Sequence, residues 1–131
     1  MKIIADTNVL VRAVVQDDKV QSAIAARTLA EASLIAVTLP SLCEFVWVLR
    51  RVYGFSIKEI GEAIRSLAAA PNVVVNRLAV EAGLGLLDAG GDFADGVIAF
   101  EGRWLGAETF VSFDKVAISL LSAQGISARL P

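Results

Sequence analysis

The chain opens on Lys2-Ile3-Ile4-Ala5, a short apolar stretch that ends at a carboxylate, Asp6. A continuous apolar run of this length is typical of a buried strand in a parallel sheet. Similar runs recur along the 131 residues, and longer stretches with helical spacing separate them. This alternation predicts an α/β fold in which helices cover a central, mainly parallel sheet of four to five strands.

The remaining predicted elements follow in a regular order. Later strands are predicted at residues 34–37, 73–75, 109–111 and 126–128, and helices at about 19–31, 40–53, 57–70, 78–88, 92–105 and just after 114. The helix at 19–31 carries apolar Val20, Ile24 and Leu29 within a helical pattern. Trp47 and Trp104 are expected to pack in the core or at an interface.

Bulk properties favour one globular domain over residues 1–131. Apolar residues make up 56% of the chain, which is enough for a buried core. No apolar run approaches the roughly 18–20 residues that cross a bilayer, so no membrane association is expected. The early Asp6 argues against a signal peptide, and we therefore expect the protein to be cytoplasmic.

Composition also limits the chemistry. The chain contains no His and a single Cys, which excludes His-based acid–base catalysis and multi-Cys zinc sites. Carboxylates remain as metal ligands, and such hard oxygen ligands favour Mg²⁺ or Mn²⁺. Setting five candidate acids aside leaves nine acidic residues against 12 basic ones, which is compatible with binding a phosphate backbone.

The five candidate acids are Asp6, Glu44, Asp92, Asp95 and Asp114. Asp6 follows the first predicted strand and Asp114 the fourth, while the other three fall in the first turns of predicted helices. In open α/β sheets, sites form outside the carboxyl ends of the strands. The acids are therefore expected to converge there and to hold a metal that activates water and neutralises a phosphodiester.

Each acid also has a structural interpretation, because such residues are common at helix starts. Asp6 fits a turn cap, and Asp92 and Asp114 fit helix N-caps. Ser41 to Glu44 has the spacing of a capping box, in which the acid binds the N-cap amide, and Asp92 to Asp95 has the same spacing. Taken singly, capping is favoured for each acid. Taken together, a metal site is favoured, because independent caps need not share one edge of a sheet.

Four segments of the chain resemble, in order, the motifs of the PIN-domain family. They are residues 4–12 (IADTNVLVR), 42–49 (LCEFVWVL), 91–99 (GDFADGVIA) and 112–115 (SFDK). Together they extend over essentially the whole chain. The compact length and the Asp-Phe-x-Asp signature of the third segment resemble VapC, the toxin of bacterial type II toxin–antitoxin pairs.

The resemblance implies a three-layer α/β/α fold and Mg²⁺- or Mn²⁺-dependent endoribonuclease activity on RNA. It also implies a homodimer that a VapB-like antitoxin neutralises. By position in the motifs, the catalytic and metal-binding acids would be Asp6, Glu44, Asp95 and Asp114, with Asp92 as an added or water-mediated ligand.

Three neighbouring polar residues complete the site that the resemblance implies. Thr7, Asn8 and Ser112 would lie beside the metal ligands and would orient the acids or bound water. Gly96 stands where the family more often has Ala, and we expect this exchange to matter little.

Two other functions remain open. A phosphatase of the haloacid dehalogenase type also carries an acid after its first strand, but it needs a second Asp two residues later, where this chain has Asn8. A catalytically inactive PIN-like binding module would be expected to have lost an acid, and every expected acid is present. An assay of metal-dependent cleavage, with RNA and with a small phosphate ester as substrates, distinguishes the three functions.

Overall fold

The structure, a computed structural model, describes every residue from Met1 to Pro131. Contacts divide the chain into two compact units, Met1–Asn76 and Arg77–Pro131. The α/β class is confirmed, because parallel strands alternate with helices in each unit. The single domain over residues 1–131 stays a prediction. None of the helices is both long and apolar enough to cross a bilayer.

The first unit contains three strands and four helices. In chain order they are β1 (Lys2–Ile4), α1 (Thr7–Val14), α2 (Lys19–Glu31), β2 (Leu34–Ala36), α3 (Leu39–Arg51), α4 (Ile57–Ala69) and β3 (Val73–Val74). The strands form one parallel sheet in the order β1-β2-β3. Because β2 is central, its Ile35 is almost fully buried.

The prediction of a buried first strand is wrong for two of its residues, Lys2 and Ile4, which are exposed. Ile4 is 79% exposed, whereas the following Ala5 is buried. The reason is that β1 lies at the edge of the sheet and successive side chains of a strand point to opposite faces. The pairing of Ile4 with Ala36 still fixes the register of the strand.

Helix α1 was not predicted from the sequence. It has only eight residues, three of them Val, and so short a helix with β-branched residues has little stability of its own. Contacts with α2 and α3 stabilise it, and Leu10 and Val11 are buried there. Tertiary packing rather than local propensity therefore forms this helix.

The side of α2 that carries Val20 and Ile24 is not its buried side. Val20 and Ile24 are 70% and 60% exposed, while Ser22 and Ala25 are buried. Helix α2 packs against α1, and this helix–helix contact, rather than the hydrophobicity of the residues, selects the buried side. Small side chains on the selected side allow two helices to approach closely.

The boundaries of α3 and α4 follow local signals. Gly54, after α3, has a φ of 67°, a left-handed conformation that glycine adopts without strain. Ser56 then caps α4: its hydroxyl accepts from the Glu59 amide, and the Glu59 carboxylate accepts from the Ser56 amide. The bond from the Ser56 amide lowers the pKa of Glu59. The end of α3 and the start of α4 therefore follow from the local sequence.

The second unit contains three helices and two strands. They are α5 (Arg77–Asp88), α6 (Phe93–Trp104), β4 (Phe110–Val111), α7 (Lys115–Ala123) and β5 (Ala128–Arg129). β4 and β5 pair in parallel, with Phe110 opposite Ala128. All five predicted strands are present, but hydrogen bonds join them as three and two rather than as one continuous sheet.

The two tryptophans do not pack in the core. Trp47 on α3 is 58% exposed and Trp104 at the end of α6 is 74% exposed. The core alternative is therefore wrong for both residues, and packing at an interface stays a prediction. In α3 the buried positions are those of the opposite helix face, which include Phe45 and Leu49.

Helices α5 and α6 pack closely because glycines lie at their contact. A Cβ added at Gly83 would lie 2.6 Å from the Phe93 ring. A Cβ added at Gly96 would lie 2.5 Å from the Ala82 carbonyl oxygen. Because backbone cannot move aside as a flexible side chain can, the expectation that Ala at position 96 would matter little is wrong.

We predict that Gly96→Ala lowers the free energy of unfolding by about 1–2 kcal/mol, because overpacking against backbone outweighs the gain in helix propensity. Gly102→Ala is the matched control, since Gly102 lies in the same helix and an added Cβ there meets nothing within 4 Å. It should leave stability unchanged or raise it by up to about 1 kcal/mol. Urea unfolding of the three proteins measures both changes, and equal stability of the two variants would contradict the close contact.

Candidate metal centre

Two of the predicted acids belong to the first unit, at the carboxyl edge of its sheet. Asp6 follows β1, and β2 leads into the helix that carries Glu44. Asp6 occupies the N-cap position of α1 with extended backbone, but its side chain accepts no capping hydrogen bond. The capping interpretation is therefore wrong for the Asp6 carboxylate, which is exposed and free to bind another group.

Glu44 is not a capping residue either. Helix α3 begins at Leu39, and its N-cap is Thr38, whose hydroxyl accepts from the Ser41 amide at 3.4 Å. The predicted capping box from Ser41 to Glu44 is therefore wrong, and Glu44 lies in the second turn rather than the first. Its side chain is exposed and has no hydrogen-bond partner.

Thr7 and Asn8 begin α1 directly after Asp6. Thr7 is buried, with 7% of its surface exposed. Asn8 is exposed and lines a cavity of about 220 Å³ whose wall also includes Arg12 and Thr28. This places Asn8 on the side of α1 that faces α2. Its predicted role in orienting an acid stays a prediction.

The second unit brings three of the predicted acids together at helix starts. Asp92 caps α6, and its Oδ1 accepts from the Ala94 amide at 3.1 Å. Asp114 caps α7, and its Oδ1 accepts from the amides of Val116 and Ala117 at 3.0 and 3.1 Å. The predicted capping is present at both residues. Each cap uses only Oδ1, so Oδ2 of each carboxylate has no hydrogen bond.

Ser112 contacts the backbone of the last motif. Its Oγ accepts a hydrogen bond from the Asp114 amide at 3.0 Å. This bond fixes the turn between β4 and α7, and thereby the direction from which the Asp114 side chain leaves the backbone. Its predicted role in orienting an acid or bound water stays a prediction.

Asp95 differs from its two neighbours because its carboxylate has no partner. It is the third residue of α6 and half-buried, and it forms neither the predicted capping box with Asp92 nor any other side-chain hydrogen bond. Burial raises the pKa of Asp95, and the charges of Asp92 and Asp114 raise it further. Asp95 is thus close enough to Asp92 and to Asp114 for their charges to disfavour its own.

The donor chemistry of this cluster fits a hard divalent cation. Carboxylate oxygens are the ligands that Mg²⁺ and Mn²⁺ take, and a cation would relieve the repulsion by Asp92 and Asp114 that adds to the effect of burial on the pKa of Asp95. The side chains are not arranged as a finished cage, since no group of three or more acidic or Cys side chains could hold a metal as placed. The free carboxylate of Asp95 and the free Oδ2 atoms of the two caps are the available donors.

Gly96 is a residue of the site that sequence reasoning undervalued. It directly follows Asp95 and lies against the backbone of Ala82 and Gly83. The contact of Gly96 with α5 fixes the first turn of α6. Asp95 lies in this turn and is half-buried there. A glycine within a helical pattern, immediately after a motif acid, was the available signal.

The chain matches the family model of the PIN domain over residues 3–119. Since the match covers most of the sequence, the chain belongs to the PIN-domain family. Comparison with curated proteins gave no match. PIN domains are typically metal-dependent nucleases, and PIN nucleases bind RNA. The match gives no support to the haloacid dehalogenase alternative.

We predict that three substitutions separate capping from charge repulsion in the metal-free protein. Asp114→Ala should lower the free energy of unfolding by about 0.5–2 kcal/mol, whereas Asp114→Asn should nearly preserve it, because Asn caps as well as Asp. Asp95→Asn should leave stability unchanged or raise it at neutral pH, since it removes a repelled charge that caps nothing. Thermal unfolding in EDTA measures all three.

The effect of Asp95→Asn should depend on pH in one direction. Because the pKa of Asp95 is raised in the folded state, protonation favours folding, and the parent loses this stability as pH rises through the folded pKa. The advantage of the variant should therefore be present at neutral pH and vanish below about pH 4, where both side chains are neutral. A variant that is clearly weaker than the parent at neutral pH would show that Asp95 has a structural partner.

Proposed function

We propose that this chain is a metal-dependent endoribonuclease and acts as the toxin of a bacterial toxin–antitoxin pair, in the manner of VapC. The observation that carries the nuclease function is the Asp95 carboxylate, which is half-buried, unbonded and held near two other carboxylates. Such an arrangement costs stability without a cation, so it is rarely kept for structure alone. Membership of the PIN-domain family supports the same activity.

The proposed ligands of Mg²⁺ or Mn²⁺ in the second unit are Asp95 and the free Oδ2 atoms of Asp92 and Asp114. Asp6 and Glu44 are proposed as further catalytic acids for two reasons. They occupy motif positions, and their carboxylates form no hydrogen bond. When bound, a divalent cation supplies a more acidic water and neutralises charge on the phosphoryl oxygens.

The proposed reaction is hydrolysis by water rather than attack by the 2′-hydroxyl of RNA. Attack by the 2′-hydroxyl is usually driven by a general base and acid such as a pair of His, and this chain has no His. Hydrolysis leaves 5′-phosphate and 3′-hydroxyl ends. The unbonded acids also argue against the inactive binding module, because they have no structural use as caps.

The proposed partners follow from the resemblance to VapC. They are an RNA substrate in the cytoplasm, a VapB-like antitoxin and a second copy of the chain. The exposed apolar side of α2, with Val20 and Ile24, is compatible with a protein partner.

We predict that Asp6→Asn, Asp95→Asn and Asp114→Asn each abolish cleavage of RNA in Mg²⁺ or Mn²⁺, because each keeps the shape but loses a charge that holds the cation. Glu101→Gln is the matched control: Glu101 is an exposed acid on α6 and should be dispensable. Cleavage of labelled RNA is measured with and without EDTA, and circular dichroism checks the fold. Asp114→Asn is the sharpest variant, because it preserves the cap of α7.

Three results would contradict this assignment. They are near-normal cleavage by a folded Asp95→Asn variant, cleavage that EDTA does not affect, and products with 2′,3′-cyclic phosphate ends. Cleavage of a small phosphate ester with no cleavage of RNA would favour a phosphatase instead.

We predict that expression of the chain alone arrests bacterial growth, and that co-expression of the small protein encoded beside it restores growth. The Asp95→Asn variant is the control, since it should accumulate without arresting growth. Growth curves and soluble protein levels measure both effects. Unimpaired growth with abundant, intact parent protein would contradict the toxin function. The nuclease activity would still be decided by the RNA cleavage assay.

A further inference from the structure

Helix α3 has two opposite faces of different character. Four apolar residues form its buried face: Leu42, Phe45, Val46 and Leu49. Four exposed residues, spaced by four, three and four positions, lie along the opposite side: Pro40, Glu44, Trp47 and Arg51. At about 100° per residue this spacing keeps them on one line. We call these four residues the exposed stripe of α3.

Trp47 lies in the middle of the exposed stripe and is not part of the buried core. Its side chain is 58% exposed, and its indole has no hydrogen-bond partner in the structure. Glu44 lies about one turn before it and Arg51 about one turn after it, at spacings where side chains of a helix are neighbours. A large aromatic side chain is thus held on a rigid helix between a carboxylate and a guanidinium.

Two exposed arginines, Arg50 and Arg51, lie at the carboxyl end of the stripe and can contact a polyanion. The first unit has eight Lys and Arg against seven Asp and Glu, and two of these acids, Asp6 and Glu44, are proposed catalytic groups. Arg51 forms no ion pair or hydrogen bond, so its guanidinium can contact a phosphate. Arg50 is exposed beside it at the same helix end.

We propose that the exposed stripe of α3 binds single-stranded RNA, with one base stacked on Trp47 and a backbone phosphate on Arg51. This inference rests on the proposed function, because it positions the strand beside the catalytic acid Glu44. Every base presents a flat face to an indole, so stacking holds a strand without reading its sequence. The helix fixes Trp47 and Glu44 relative to each other, so the stacked base would be held at a fixed place relative to this acid.

A protein partner fits the stripe less well. Its apolar residues are one Trp and one Pro, with charged side chains on either side of the Trp. A Trp buries about 150–250 Å², whereas a stable interface buries about 800 Å² on each partner. A narrow stripe with a single aromatic residue and a cation matches a nucleotide better than the core of a protein interface.

The test uses the full chain and a 12-residue single-stranded RNA, in an Asp95→Asn background that prevents cleavage. The chain has two Trp residues, so Trp104→Phe leaves Trp47 as the sole indole emitter. We expect the RNA to quench this emission. We expect Trp47→Ala to weaken RNA binding roughly 5- to 150-fold, and Trp47→Phe to restore part of the affinity. Trp104→Ala, at the more exposed of the two Trp residues, should leave binding unchanged.

Catalysis gives a second measurement in the active chain. Trp47→Ala should raise KM for RNA while kcat stays within a fewfold of the parent value, because stacking holds the strand rather than the metal. RNA binding with quenching of Trp47, but no cleavage by the parent, would remove the proposed nuclease function and leave this binding inference intact.

Other outcomes would overturn the inference. They are Trp47 emission that RNA does not change, an unchanged affinity for RNA in folded Trp47→Ala, and an equal loss in Trp104→Ala. If Trp47→Ala changes the oligomeric state in size-exclusion chromatography and leaves RNA binding intact, the stripe is a contact between copies of the chain, and the RNA proposal fails.

Discussion

The first amides of a helix have no acceptor within the helix, and this requirement places the acids of the second unit. Asp92 and Asp114 each supply one oxygen, Oδ1, to the amides that begin α6 and α7. A carboxylate has a second oxygen, so capping and metal binding do not exclude each other. The caps fix two carboxylates in place before any cation arrives. Asp95 lies near both without forming a cap of its own, and its pKa is raised first by burial and further by their charges.

The position of Asp95 depends in turn on the packing of α5 against α6. Gly96, the next residue, has its Cα against the Ala82 carbonyl, and the Phe93 ring lies on Gly83. Both contacts require the absence of a Cβ, so the two glycines set how closely the helices approach. A half-buried carboxylate at the start of α6 is a consequence of that distance. The candidate site therefore depends on a contact between α5 and α6 whose residues are not proposed to take part in catalysis.

Local signals predicted much of the fold, and the failures involve long-range packing. The pattern Ser-x-x-Glu occurs at both Ser41 and Ser56, and only the second is a capping box. The first fails because α3 already starts at Leu39, after its cap Thr38. The same limit applies to α1 and to the buried side of α2, which tertiary contacts decide. Motif spacing located the candidate acids, but only the hydrogen bonds distinguish the capping acids from the unbonded ones.

The net charge of −2 is a poor guide to how this chain would meet RNA, because the charge is unevenly divided. The second unit has seven Asp and Glu against four Lys and Arg, whereas in the first unit the basic residues outnumber the acidic ones by one. Without a cation, the acids of the second unit repel a phosphate as they repel one another. A bound divalent cation would weaken that local negative field. In the proposed nuclease, metal binding and RNA binding would therefore strengthen each other, since each relieves a charge that opposes the other.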